Sequence, residues 1–172
     1  MSALWRAAPV PDPEAEPSVS VPMTTADIDA VWALETRAYP FPWTRGNFVD
    51  SLAAGYTAQL IRAAGNGRLL GYLVAMAGAD EMHLLNITVA PEVRRRGLAR
   101  RMIEGLVERC RDAGAGRLWL EVRESNAGAR AAYLKLGFVE MGTRPGYYPA
   151  ARGRRESAVV MSLAIDHGAE PA

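Results

Sequence analysis

Asn86-Ile87-Thr88-Val89-Ala90-Pro91-Glu92-Val93-Arg94-Arg95-Arg96-Gly97-Leu98-Ala99 passes from an extended apolar run, through a proline turn, into the start of a helix. Asn86–Val89 has the composition of a strand, Ala90-Pro91-Glu92 breaks it, and Leu98 opens an apolar stripe continued at Met102, Leu106 and Cys110. A strand, a glycine-bearing loop and a helix in that order leave backbone amides at the helix N-terminus, where they can point at an anion, and Gly97 permits close backbone approach. Arg94, Arg95 and Arg96 stand where the helix dipole disfavours cations, a placement that suggests an anionic ligand nearby. The alternative is a solvated basic face opening an ordinary helix. No Gly-Lys-Ser/Thr follows, so this is not a Walker loop, and the glycine spacing of the dinucleotide fingerprint is absent.

Working toward the C-terminus, Gly114 and Gly116 stop the helix, and Leu118-Trp119-Leu120-Glu121-Val122 reads as a buried strand. Asn126–Leu136 reads as a helix closed by Gly137, followed by strands over Phe138–Gly142 and Ala158–Leu163 and a frayed tail over 166–172. Toward the N-terminus, Met82–Val89 follows a hairpin of Tyr56–Ala63 and Leu69–Ala77, turned at Gly65-Asn66-Gly67. Thr44 caps a short helix through Phe48 and Leu52; Thr24 or Thr25 caps another whose face carries Ile28, Val31, Leu34 and Ala38. Between them Pro40-Phe41-Pro42-Trp43 forms an exposed elbow. Val19 and Val21 alternate with Ser18, Ser20 and Pro22 as a short edge strand, and residues 1–17 read as a disordered, proline-rich leader. Strands and helices alternating in this way predict a single three-layer α/β domain over residues 18–165, built on a mixed sheet.

Composition narrows the function classes. A chain of 172 residues with 49% apolar side chains can bury one sizeable core. Its formal charge of +1 provides no global field for nucleic acid or membrane surfaces. Cys110 stands alone, which excludes an intrachain disulfide and fits a reducing cytoplasm. No Cys/His cluster is spaced to hold a metal, and His83 and His167 read as structural or solvated. No stretch approaches the roughly 20 apolar residues of a membrane span.

Arg94-Arg95-Arg96-Gly97-Leu98-Ala99 matches the pattern Gln/Arg-x-x-Gly-x-Gly/Ala, and the chain resembles the GCN5-related N-acetyltransferases (GNAT) through it. Leu118–Asn126, Ala131–Phe138, the elbow Phe41-Pro42-Trp43 and Tyr147-Tyr148-Pro149 narrow the likeness to the bacterial ribosomal-protein-alanine N-acetyltransferases over about residues 20–165. Where that subfamily commonly carries Gly-Arg-Glu-Asp, this chain has Gly153-Arg154-Arg155-Glu156-Ser157. The resemblance implies a GNAT-type α/β/α domain with a splayed mixed sheet, acetyl-CoA as co-substrate and no metal. Its acceptor would be a protein N-terminus, that of small-subunit ribosomal protein eighteen, with no nucleic acid or membrane partner and a monomer or weak dimer. Other N-termini, small amines, or an acyl-CoA-sensing module without turnover are the alternatives.

Residue by residue, the resemblance implies that Ile87, Thr88 and Val89 meet the pantetheine arm like a sheet edge, and that Arg95, Arg96, Gly97, Leu98, Ala99 and Arg100 surround the pyrophosphate. Asn126 caps its helix and contacts the cofactor arm. Glu121 occupies the general-base position on the strand face opposite Leu118, Leu120 and Val122, where partial desolvation would raise its pKa; pairing with Arg123 or a neighbour is the plainer alternative. Tyr133 occupies the proton-donor position, against packing on Leu136 and Phe138 as the alternative. Glu35, Asp80 or Glu81 are acids available to a basic residue after the acceptor amine. Removing residues 1–17 is expected to leave turnover nearly unchanged, because a polar leader buries little apolar area; kcat/KM of the truncated protein checks it, and a severe loss would place the leader in the site.

Overall fold

The computed structural model describes residues 17–168, so all of the expected leader except Pro17, and residues 169–172 of the tail, lie outside the described residues. The elements run β1 (Ser18–Pro22), α1 (Ile28–Ala38), α2 (Arg45–Ala53), β2 (Thr57–Ala63), β3 (Leu69–Ala77), β4 (Glu81–Val89), α3 (Leu98–Asp112), β5 (Arg117–Arg123), α4 (Ala127–Lys135), β6 (Val139–Pro149) and β7 (Arg155–Ala164). The seven strands form one sheet in the order β1-β2-β3-β4-β5-β7-β6. Every pairing is antiparallel except β4 with β5, which the intervening α3 connects as a crossover unit. The expected α/β domain with a mixed sheet is therefore observed.

Side-chain period explains which face each element buries. In β5, Leu118, Leu120 and Val122 are buried while Trp119, Glu121 and Arg123 are only half-buried, the alternation of a strand. In α3, Leu98, Met102, Leu106 and Cys110 are buried together with Ile103 and Val107. The two helix layers lie on opposite faces. Tyr72 of β3 reaches Glu35 of α1, whereas the adjacent Gly71 faces Met102 of α3. Phe48 of α2 completes the first layer, packed between Trp43 and Tyr72 with centroids 5.3 and 5.6 Å away.

Local chemistry sets the helix starts. Thr44 and Asn47 form a reciprocal capping box, Asn47 Oδ1 accepting the Thr44 N–H at 2.8 Å and Thr44 Oγ1 accepting the Asn47 N–H at 3.2 Å. Before α1, a single 3₁₀ turn over Thr25–Asp27 is fixed by Asp27 Oδ2, which accepts both the Thr24 N–H and the Thr24 hydroxyl at 2.8 Å. The expected elbow is exposed at Phe41 and Pro42, but Trp43 packs against the core. The last two strands are longer than their apolar patterns suggest: β6 extends through Tyr147-Tyr148-Pro149 although it is exposed along nearly its whole length. Its pairing with β7 and two register shifts shape it, not an apolar period. At the end of the described chain, Asp166 O accepts Arg111 Nε at 2.9 Å and His167 Nε2 lies 3.1 Å from Ala115 O.

The sheet splays in the middle. β4 pairs with β5 only from Glu81↔Arg117 to Leu84↔Leu120, yet it stays paired with β3 as far as Val89↔Gly71. Between the pairs Val74↔Asn86 and Ala75↔Leu84 the register shifts, leaving Leu85 as the extra residue of a bulge that bends β4 at this point. Gly71 is required where the ladder continues, since a Cβ there would lie 2.6 Å from Thr88 O. Gly71→Ala is expected to cost about 1–3 kcal/mol through overpacking against a backbone atom; urea unfolding of the variant against the wild type measures it, and an unchanged midpoint would show that β3 and β4 can part without cost.

Candidate active site

Past Leu84, the outer edge of β4 has no strand beside it. The carbonyls of Ile87 and Val89 turn to this edge, where they accept the Tyr39 hydroxyl at 2.9 Å and Arg94 Nε at 3.2 Å. Thr88 does not join them. It is buried, opposite Tyr72 in the β3 ladder, with its hydroxyl 3.1 Å from Asn86 Oδ1 and 3.2 Å from Tyr39 Oη. The structure thus brings Ile87 and Val89 to the free edge and leaves Thr88 in the wall behind it. Tyr39, whose phenol is raised by burial above its ordinary pKa, was not singled out in the sequence; its position two residues before proline-aromatic Phe41 carries no signal of the contact with β4.

The arginine-glycine loop follows directly. A 3₁₀ turn over Pro91–Val93 ends at extended Arg94, after which Arg95 (φ 61°) and Gly97 (φ 72°) adopt left-handed backbone. Gly97 is the N-cap of α3, and the first intrahelical bond runs from Arg101 N–H to Gly97 O at 3.1 Å. The amides of Leu98, Ala99 and Arg100 therefore have no intrahelical acceptor, and no acidic side chain occupies the first turn. Space is open where a Gly97 Cβ would stand, so glycine is needed for its φ and not for crowding within the protein. Arg95 and Arg96 are exposed, whereas Arg100 is paired with Glu104 at 2.7 Å. Amides, left-handed turns and two exposed guanidinium groups, Arg95 and Arg96, on one rim fit a pyrophosphate.

Across the splay, β5 presents Glu121. Its Oε1 lies 2.6 Å from Arg144 Nε on β6, so the carboxylate, only 23% exposed, is both partly withdrawn from solvent and engaged by a guanidinium. The pairing is not with Arg123, which donates to Glu156 Oε1 at 2.7 Å and to Pro149 O at 2.7 Å. Arg123 beside Glu156, aided by Ser125, holds the Glu156 carboxyl below its ordinary range. The Arg123 guanidinium also faces the rings of Tyr148 (4.6 Å) and Phe41 (5.4 Å), joining the β6–β7 hairpin to the elbow. Tyr148 donates its hydroxyl to Glu121 O at 3.1 Å, and Tyr147 stands edge-on to Tyr148 at 4.9 Å. Hydrogen bonding to the Glu121 carboxylate raises the Tyr147 phenol; burial, then the nearby Glu121 charge, raises that of Tyr148. Arg144 and Glu156 had no assigned roles in the sequence, and Arg123 stood only as a possible partner of Glu121, because their meeting depends on the β6–β7 register.

Tyr133 and Asn126 belong to α4. The Asn126 side chain accepts the Ala129 N–H at 3.2 Å, the expected cap. Tyr133 packs on Phe138 with centroids 5.6 Å apart, and burial pushes its phenol well above the ordinary range. A buried phenol kept protonated can donate a proton. Glu35, considered from the sequence as available to an acceptor, is not: it is 2% exposed and its oxygens are taken by protein donors. His83 stacks on Trp119, with Nε2 2.8 Å from Glu81 Oε1. Cys110 is buried and its thiol is pushed up to about 11. Among the described residues there is no group of three or more His, Cys, Asp or Glu that could hold a metal ion, and no helix is long and apolar enough to cross a membrane.

Comparison with known proteins agrees with this geometry. The profile of the acetyltransferase (GNAT) family matches residues 28–138. The [ribosomal protein bS18]-alanine N-acetyltransferase of Salmonella typhimurium is 38% identical over 143 residues, covering 83% of this chain and 95% of that protein. Its counterpart from Escherichia coli strain K12 is 39% identical over 144 residues, with 83% and 95% covered. The crystal structure of the Escherichia coli ribosomal-protein-S18-alanine N-acetyltransferase superposes with a TM-score of 0.80 at 35% identity, covering 90% of this chain and 98% of that one. Gly97→Trp, which must hold a left-handed φ and fills the open space before α3, is expected to weaken coenzyme A binding at least about tenfold, or about 1.4 kcal/mol. Titration calorimetry on the folded variant measures this; unchanged affinity would remove the loop from the site.

Proposed function

Because the chain belongs to the acetyltransferase (GNAT) family, we propose that it moves the acetyl group of acetyl-CoA onto the α-amine of a protein N-terminus, the alanine of ribosomal protein bS18, in the cytoplasm. The observation that carries the choice of acceptor is identity of 38–39% over 95% of two proteins named for that activity. The elbow, the Tyr147-Tyr148 pair and Glu121 stand together on one side of the splay, as an acceptor site requires.

The edge residues Ile87 and Val89 would hold the pantetheine arm, and the loop from Arg95 to Arg100 the pyrophosphate, with Asn126 at the opposite wall. Acetyl-CoA supplies an activated thioester carbonyl. The chain has to supply proton transfer, since an α-amine with pKa near about 8 is mostly protonated at neutral pH. Glu121 accepts that proton. Arg144 holds the carboxylate in place and is exposed enough to yield as the amine arrives. Tyr133 donates to the departing sulfur, and its burial keeps the phenol protonated across the working range.

Glu121→Gln keeps shape but removes the base, so kcat/KM on an alanine-initiated bS18 peptide is expected to fall roughly 10²–10⁴-fold. The deficit should shrink as pH approaches the amine's own pKa, where neutral amine needs no base. Tyr133→Phe keeps the ring packing, and its deficit should persist at high pH. Steady-state kinetics against pH, with the acetyl mark located by mass spectrometry, distinguishes the two; a wild-type pH profile in Glu121→Gln would assign proton acceptance elsewhere.

A further inference from the structure

Glu35 sits on the buried side of α1, 2% exposed, and has no part in the scheme above. Its two oxygens act only as acceptors. Oε1 takes the Trp43 main-chain N–H at 2.8 Å and Asn86 Nδ2 at 3.3 Å; Oε2 takes the Tyr72 hydroxyl and Asn86 Nδ2 at 3.3 Å. No cation pairs with it among the described residues. A buried carboxylate satisfied wholly by donors is costly to keep unless it positions something.

The element it holds is the elbow. Residues 40–43 include two prolines without N–H groups, and the Trp43 bond to Glu35 is the sole hydrogen bond they make among the described residues. The elbow also carries Phe41 to the Arg123 guanidinium, two residues beyond Glu121 on the same face of β5. We propose that Glu35 is a positioning residue that locks the elbow over the acceptor side of the site, so that it governs binding of the acceptor N-terminus and not of acetyl-CoA. The inference rests on the acceptor placement proposed above. Selectivity follows from redundancy: β4, the acetyl-CoA edge, is held to β3 by seven residue pairs, whereas the elbow's main chain has one hydrogen bond among the described residues, beside the side-chain packing of Trp43 on Phe48 and of Phe41 on Arg123.

The donor set also dictates how substitutions rank. In Glu35→Gln the amide oxygen can face Trp43, which can only donate, while the amide nitrogen faces the Tyr72 hydroxyl, which can turn to accept. That variant is expected to stay near wild type. Glu35→Met fills the space without any acceptor, and should raise the acceptor KM about tenfold, the size of one lost charge-assisted hydrogen bond, with kcat and the acetyl-CoA KM within about twofold. Glu35→Asp, which withdraws the carboxylate by one methylene, should move the acceptor KM in the same direction and serves if the methionine variant does not fold. Tyr72→Phe removes a donor without touching the elbow; it should lower the melting temperature and leave the acceptor KM alone. Amide exchange at Trp43, followed by NMR, reads the lock independently of turnover and should accelerate in the methionine and aspartate variants. A lowered melting temperature with unchanged acceptor KM and unchanged Trp43 exchange, or an equal rise in both KM values, would overturn the proposal. If the wild type fails to acetylate the bS18 peptide, the acceptor assignment falls, and Trp43 exchange still decides whether Glu35 holds the elbow.

Discussion

Beyond Leu84 and Leu120 the two parallel strands at the centre of the sheet separate, and Ile87 and Val89 turn their main-chain groups toward an edge with no strand on it. Unpaired strand edges are a liability that folded chains ordinarily cover. Here the edge stays uncovered because β5 leaves to pair along its full length with β7, while β4 remains committed to β3. The wedge so formed has the α3 N-terminus at one wall and Glu121 at the other. In the binding mode proposed above, a ligand with alternating amides replaces the missing strand and its phosphates meet the amides of residues 98–100.

Charge is distributed to match. The first turn of α3 carries no acid, and Arg95 and Arg96 remain exposed beside it. Across the splay the guanidinium groups are already committed, Arg144 to Glu121 and Arg123 to Glu156. Those pairs, with Phe41, Tyr147 and Tyr148 interleaved, form one wall from segments far apart in sequence: the elbow, β5 and the β6–β7 hairpin.

Two buried polar features tie the helices to this wedge. Tyr39, at the end of α1, caps the Ile87 carbonyl, and Glu35, one turn earlier, gathers Trp43, Tyr72 and Asn86. Glu35 lies in the series Ile28, Val31, Glu35, Ala38, the i, i+3, i+7, i+10 spacing of the inward side of α1. A carboxylate at that phase of an apolar stripe is a readable sign of a buried hub, yet acidity alone had suggested a surface role facing the substrate.

Apolar periods and turn chemistry were enough to locate both layers of helix, the hairpin, the central strands and the glycine loop, because each depends on residues three, four or two apart and on local backbone preference. The loop's meaning was equally local: Gly97 must take a positive φ, and the amides after it must be free whatever packs around them. The length of β6 was not legible, since an exposed edge strand has no apolar period to betray it and exists through its ladder with β7. Nor was the partner of Glu121. Whether that carboxylate would meet Arg123, two residues away, or Arg144, more than twenty residues on, was settled by strand register and the splay, quantities that arise only when distant segments pair.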